Sequence, residues 1–299
     1  MTSSHKQELI VVSGASTGIG AATARELAAR GYHVLAGVRR ESDAEAIRDS
    51  GIEPVVLDIT RTDHIDSLIE RIASDERRRP LRAVVNNAGI SIYAPVEALP
   101  LEEWRRLFEI NLFGHVAMTQ ALLPFLVASR GRVVNISSVG GKGAMATYGP
   151  YAATKFALEA VSDALRREVA PHGVEVVVIE PGAVKTEMGE RGAIATADRA
   201  QRMSPELQQR YGALVSANLA HTRAHLGSGV TAENAGAVIA RAVTVRRPRT
   251  RYTVGRDAAV IIRLMRFLPD RLLDRILVEN LRPYLSKNGA AGPAGMITG

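Results

Sequence analysis

The chain contains no cysteine, which excludes disulfides, thiol nucleophiles and cysteine-ligated metals. Lysine is almost as scarce: Lys6, Lys142, Lys155, Lys185 and Lys287 are the only five. No apolar run approaches the ~20 residues of a bilayer-spanning helix, and the longest near the C-terminus, residues 258–262, is cut by Arg263. Residues 1–8 are polar and lead into no apolar signal core, so the expected location is the cytoplasm. His221 and His225 fall four apart, but no glutamate completes a His-Glu-x-x-His pattern and no metal is expected.

What is present fits one large α/β domain: 299 residues, 46% hydrophobic and 23% charged. The net charge of +7 is concentrated between positions 241 and 275, where ten arginines face only Asp257, Asp270 and Asp274. Such a stretch suits an anionic lipid surface, an acidic partner or an acidic substrate carrier rather than nucleic acid, unless it is simply a solvated arginine face.

The chain opens with an apolar strand over residues 8–13, a glycine turn Gly14-Ala15-Ser16-Thr17-Gly18-Ile19-Gly20, and an alanine-rich helix ending at Gly31. Strand, turn and helix make the first half of a βαβ unit, in which glycines let the backbone approach a pyrophosphate at the helix N-terminus. A second strand, 33–38, runs into Arg39-Arg40, where an acidic residue would select the ribose of NAD. Arginine forks suit phosphate, so NADP(H) is the expected cofactor, with Arg39 preferred because it directly follows the strand; solvation is the alternative. Further strands are expected at 53–57, 81–85, 132–136 and 174–179. Asp58 either meets an adenine edge or organises its turn, and the Thr60-Arg61-Thr62 cluster offers caps to the next helix. A long helix over 101–128 is interrupted by Asn111 and Gly114, costly in mid-helix unless they have a task.

The central stretch is residues 138–155. Pro150 opens a helix rich in alanine, leucine and glutamate, so Tyr151 and Lys155 lie one turn apart on one face. A phenol titrates near ~10 and must lose about 3 units to act as a base at neutral pH. A nearby cation supplies ~1–3 of them, a task for Lys155 that a bound oxidised nicotinamide would share. Ser138 is placed to hold the substrate oxygen while Tyr151 moves its proton.

These motifs, in this order, resemble the short-chain dehydrogenase/reductase family over residues 7–255: Gly14-x-x-x-Gly18-x-Gly20, Asp58-Ile59, Asn86-Asn87-Ala88-Gly89, Asn111, Ser138 with Tyr151-x-x-x-Lys155, and Pro181-Gly182-x-x-x-Thr186. The resemblance implies a Rossmann-type, doubly wound α/β fold with a seven-stranded parallel sheet. It implies Tyr151 as acid/base, Ser138 orienting a carbonyl, Lys155 lowering the phenol pKa and binding the nicotinamide ribose, and Asn111 supporting a relay water. It places the pyrophosphate on Gly14, Ser16, Thr17, Gly18, Ile19 and Gly20, and adenine on Asp58 and Ile59. The adenosine side falls to Asn87, Ala88 and Gly89, and the nicotinamide amide to Pro181, Gly182, Val184 and Thr186. Members are commonly dimers or tetramers. Tyr148 is set aside because Ala152 stands four beyond it, and Ser137 because the family spacing selects Ser138. Ser13 replaces the usual threonine before the first glycine.

A substrate lid is expected at about 187–229, two amphipathic helices broken at Pro269 at 256–285, and a disordered tail at 286–299. The extension is expected to pack on its own domain, cap the pocket, build a subunit contact or lie on a membrane. Pro181-Gly182 after Glu180, and residues 248–255, look like the hydroxysteroid and retinol dehydrogenase branch, implying a bulky apolar alcohol or ketone. A reductase of acyl groups on an acidic carrier and a catalytically silent dinucleotide sensor are the alternatives.

Overall fold

The computed structural model describes residues 8–285, so the expected disordered tail lies outside the described residues. In chain order the elements are β1 (Leu9–Val12), α1 (Gly18–Ala29), β2 (His33–Val38), α2 (Ala44–Ile47), β3 (Ile52–Val56), α3 (Thr62–Ala73), β4 (Leu81–Asn86), α4 (Leu101–Phe108) and α5 (Gly114–Ser129). There follow β5 (Arg132–Ile136), α6 (Gly149–Val169), β6 (Glu175–Pro181), β7 (Val184–Lys185), α7 (Glu187–Gln201) and α8 (Pro205–Ser228). The chain continues through β8 (Val230–Thr231), α9 (Ala232–Thr244), β9 (Arg251–Val254), α10 (Arg256–Phe267) and α11 (Asp270–Leu285).

Seven strands pair in parallel in the order β3-β2-β1-β4-β5-β6-β9. Their near-continuous Val, Ile and Leu content suits a sheet covered on both faces. One face packs Ile10, Val12, Val134 and Ile179 against Ala24 and Leu27 of α1 and Ile239 and Val243 of α9. The other packs Leu9, Val11, Val84 and Val133 against Leu68 of α3 and Met118, Leu122 and Leu126 of α5. Strand order reverses between β1 and β4, so their carboxyl ends flank the crevice where such sheets bind ligands.

Two expectations need correction. Residues 60–62 do not cap α3 through a side chain, because the Thr60 hydroxyl instead donates to Asp58 Oδ1 at 2.7 Å. The sixth strand runs on to Pro181, because β9 pairs Thr253 with Glu180 and Val254 with Pro181. The interruption at Asn111 is a π turn over Glu109–Phe113 within one continuous helical run. Contrary to the sequence expectation, that run, Leu101–Ser129, is long and apolar enough to cross a membrane by composition, but Met118, Leu122 and Leu126 on it are buried in the sheet-facing core.

The two C-terminal helices separate at Pro269 as expected. Ala258 is fully buried, and a side chain at Gly182 would meet its Cβ at 2.8 Å. Met265 fills the space beside Gly143, and Tyr284 meets His221 of α8 edge-on at 5.5 Å. The extension therefore touches both the loop before α6 and α8, one of the helices expected to form the lid.

Candidate active site

The glycine turn is shaped by its backbone. Gly14 and Gly18 have φ of +64° and +58°, a region that disfavours side chains. At Gly20 an added Cβ would fall 2.3 Å from the Gly14 carbonyl and 2.5 Å from Asn87 Nδ2. Ser13 staples this turn to β4: its hydroxyl donates to Val85 O and accepts from the Asn87 and Ala88 N–H groups at 3.0 and 3.1 Å. Asn87 Nδ2 donates to the Ser13 and Gly14 carbonyls at 2.9 and 3.0 Å. Ser16, Thr17 and Ile19 are half-buried in the turn. No side chain caps α1 and no acidic residue occupies its first turn, so its N–H groups face the crevice without a competing anion.

Arg39 and Arg40 are both exposed, yet only Arg40 is spent locally, on Asp43 at 2.9 Å. Arg39 forms no ion pair among the described residues. Burial pushes the Asp58 carboxyl up, but hydrogen bonds from Thr60 and the Arg39 charge outweigh it and leave the group below its usual value. Asp58 Oδ1 accepts both Thr60 bonds, so one oxygen organises the turn. The Ile59 side chain is buried in the core against Gly114, leaving its backbone for any adenine contact. Val184 is likewise a core residue, while Thr186 caps α7 and sits against Gly18.

At the carboxyl end of β5, the Ser138 hydroxyl accepts from Gly140 N–H at 3.1 Å and lies 3.5 Å from the Pro181 carbonyl. Tyr151 is buried, and Lys155 Nζ stands 5.8 Å from its ring centroid. Burial pushes the Tyr151 phenol up to about 12, against the pull of its Ser138 hydrogen bond. Burial here outweighs any lowering of the phenol. The Lys155 ammonium donates to the Ile136 carbonyl at 2.8 Å, and burial draws Lys155 itself down to about 8.

The Asn111 side chain is held by its neighbours. Its Oδ1 accepts from Ile90 N–H at 2.9 Å, and its Nδ2 donates to Ile90 O at 2.9 Å and Thr154 Oγ1 at 3.2 Å. The amide is engaged as a latch between the π turn, the loop after β4 and α6. Gly89 lies beside it, where a side chain would meet Asn111 Oδ1.

The model of the short chain dehydrogenase family matches residues 8–195. The chain belongs to that family. It is 33% identical over 280 residues to the NADPH-dependent 3-dehydrocapnine reductase of Ornithobacterium rhinotracheale, covering 91% of this chain and 96% of that protein. It is 34% identical over 280 residues to human retinol dehydrogenase 16, covering 91% and 88%. A short-chain dehydrogenase from Streptomyces avermitilis superposes with a TM-score of 0.71 at 28% identity, covering 97% of this chain and all of that one. This short-chain dehydrogenase is thus an oxidoreductase whose similarity extends to retinol dehydrogenases.

The structure adds residues to this dehydrogenase's site that motif reading passed over. Tyr93 stacks on Tyr148 with centroids 4.3 Å apart and meets Tyr151 edge-on at 5.9 Å. Tyr148, set aside as a base, forms a wall of the site. His115 is buried below Lys155, its Nε2 2.7 Å from the Ala88 carbonyl; burial and the Lys155 charge drive it down to about 3, so it is neutral. Beyond Tyr93, a cavity of about 440 Å³ opens between residues 93–103 and α7 and α8, with Ala98, Pro100, Met203 and Leu207 in its lining.

Proposed function

We propose that this dehydrogenase interconverts a secondary alcohol and a ketone on a bulky apolar molecule, using NADP(H), with Tyr151 as the acid/base. The observation that carries the reading is the convergence of Ser138, Tyr151 and Lys155 in one buried site at the carboxyl end of β5. Ser138 and Tyr151 both present hydroxyls to one substrate oxygen. A phenol held at about 12 is protonated at neutral pH and ready to donate to a carbonyl. The phenolate left behind is met by the Lys155 ammonium, and the aromatic wall of Tyr93 and Tyr148 excludes water.

A dinucleotide fits the residues present. The glycine turn and the uncapped α1 N-terminus would take the pyrophosphate, and Arg39, next to Asp58, would take a 2′-phosphate. Thr186 and the backbone of residues 181–184 would hold the nicotinamide amide. When bound, the cofactor supplies or accepts the hydride.

The cavity past Tyr93, lined mostly by apolar residues together with Glu103, Asp198, Arg199 and Arg202, is of a size that suits a bulky substrate. On the outside, Val260, Leu264 and Phe267 of α10 are exposed beside Arg263 and Arg266, which supports peripheral contact with an anionic membrane. Exposed Phe113 and Phe156, on the helical run ending in α5 and on α6, support a homodimer or homotetramer. The test is turnover with NADPH and NADH on a panel of retinoid, steroid and long-chain ketones, with co-sedimentation on anionic vesicles. Reduction of small polar ketones alone would overturn the substrate reading, and a Phe267→Asp protein that sediments like the wild type would overturn the membrane reading.

A further inference from the structure

Tyr151, Lys155 and Glu159 follow one another at intervals of four and form one stripe of α6. Glu159 is 5% exposed, a costly place for a carboxylate unless cations meet it. Its Oε2 accepts from Lys142 Nζ at 2.6 Å and from Arg251 Nε and Nη2 at 3.1 and 3.0 Å. Lys142 comes from the loop that carries Ser138, and Arg251 from β9. Glu180, at the end of β6, joins them with its Oε1 3.6 Å from Lys142 Nζ and 3.4 Å from Arg251 Nε.

The loop is seated on Glu159 as well as bonded to it. A Cβ at Gly141 would stand 2.6 Å from Ser137 Oγ, 3.1 Å from Glu159 Cγ and 3.2 Å from the Lys155 carbonyl oxygen, so a glycine lets the loop lie against both its own strand and α6. One residue later Lys142 closes the ion pair. The 3₁₀ turn between, Val139–Gly141, begins at Ser138, whose hydroxyl accepts from Gly140.

The groups facing Lys155 are few. Its own helix supplies Tyr151 and Glu159, α5 supplies the neutral His115, and β5 supplies the Ile136 carbonyl. Lys142, Glu180 and Arg251 lie behind Glu159. The Glu159 charge is the one that opposes the effect of burial on the ammonium.

We propose that Glu159 is a positioning residue: its buried carboxylate clasps the Ser138 loop to α6 through Lys142 and supplies the counter-charge that keeps Lys155 an ammonium beneath Tyr151. This rests on the reading of Tyr151 and Lys155 as the reacting pair. It gives the Lys142–Glu159–Arg251 group a task beyond cross-linking the end of the sheet.

The five lysines of the chain make a direct test simple. The full chain, labelled with ¹³C at lysine Cε, is titrated by NMR, with Lys155→Arg identifying the Lys155 signal. Glu159→Gln keeps the packing on Gly141 and removes the charge; the Lys155 midpoint is expected to fall by about one unit. Lys142→Gln exposes Lys155 to more of the Glu159 charge and is expected to move the midpoint up. Both variants are expected to lower kcat more than they raise KM. Lys142 is partly exposed, so its variant carries the test if Glu159→Gln does not fold. A midpoint unmoved in a folded variant, with or without loss of activity, would overturn the proposal and leave Glu159 a packing residue. Because the titration needs no substrate, a wild type inert toward every ketone would count against the proposed activity without touching this result.

Discussion

The Tyr148 hydroxyl lies 2.9 Å from the Thr222 hydroxyl, joining the wall of the catalytic site to α8. Tyr148 stacks on Tyr93, which in turn touches Tyr151. These contacts link α8 to the surroundings of the Tyr151 phenol. Tyr148→Phe removes the link and leaves the Thr222 hydroxyl without it, at a cost of about 1 kcal/mol. Hydrogen exchange in α8 is expected to quicken, and the substrate KM to rise several-fold with a smaller change in kcat. Exchange identical to wild type would show that this bond does not hold the helix.

Arg39 and Arg40 divide their work. Arg40 is paired with Asp43, whereas Arg39 has no ion-pair partner among the described residues. Arg39→Ala is expected to weaken NADPH binding by about tenfold or more, the scale of a charge-assisted hydrogen bond, with little effect on NADH. Arg40→Ala is expected to leave NADPH affinity nearly unchanged. Fluorescence titration of both cofactors checks this.

His115 makes the fold sensitive to acid. Its pKa is about 3 in the folded protein against 6.5 in an exposed chain. Between those values the unfolded chain holds a proton that the folded one does not, so stability falls as pH drops through this window. The slope contributed is at most about 1.4 kcal/mol per pH unit. His115→Gln keeps a donor for the Ala88 carbonyl and is expected to flatten urea-derived stability between about pH 6 and pH 4. An unchanged slope would mean that His115 is protonated in the folded state.

Most of the fold was legible because each strand ends in a residue type that advertises its turn. The glycines after β1, the arginines after β2 and the asparagines after β4 all lie where the motifs placed them. Helix boundaries at Pro150 and Pro269 were legible for the same local reason. What escaped was long-range. No spacing rule links Lys142, Glu159 and Arg251, or Tyr93, Tyr148 and Thr222, because tertiary packing alone brings them together. Spacing showed Lys155 one turn from Tyr151, but not the Ile136 carbonyl that its ammonium meets, nor the burial that raises the phenol pKa. The extra length of β6 came from its pairing with β9, which is invisible in either segment alone.

The central claim is that the Tyr151 hydroxyl moves the proton. Tyr151→Phe removes one oxygen and keeps the ring that packs on Tyr93 and Gly140. NADPH consumption with a long-chain or retinoid ketone, measured on wild type and Tyr151→Phe alongside NADPH binding, tests it directly. The account predicts unchanged cofactor affinity within about twofold and turnover reduced by about 10²–10⁴ or more. Turnover that survives the substitution would contradict it, and would move the proton transfer to another group in the site.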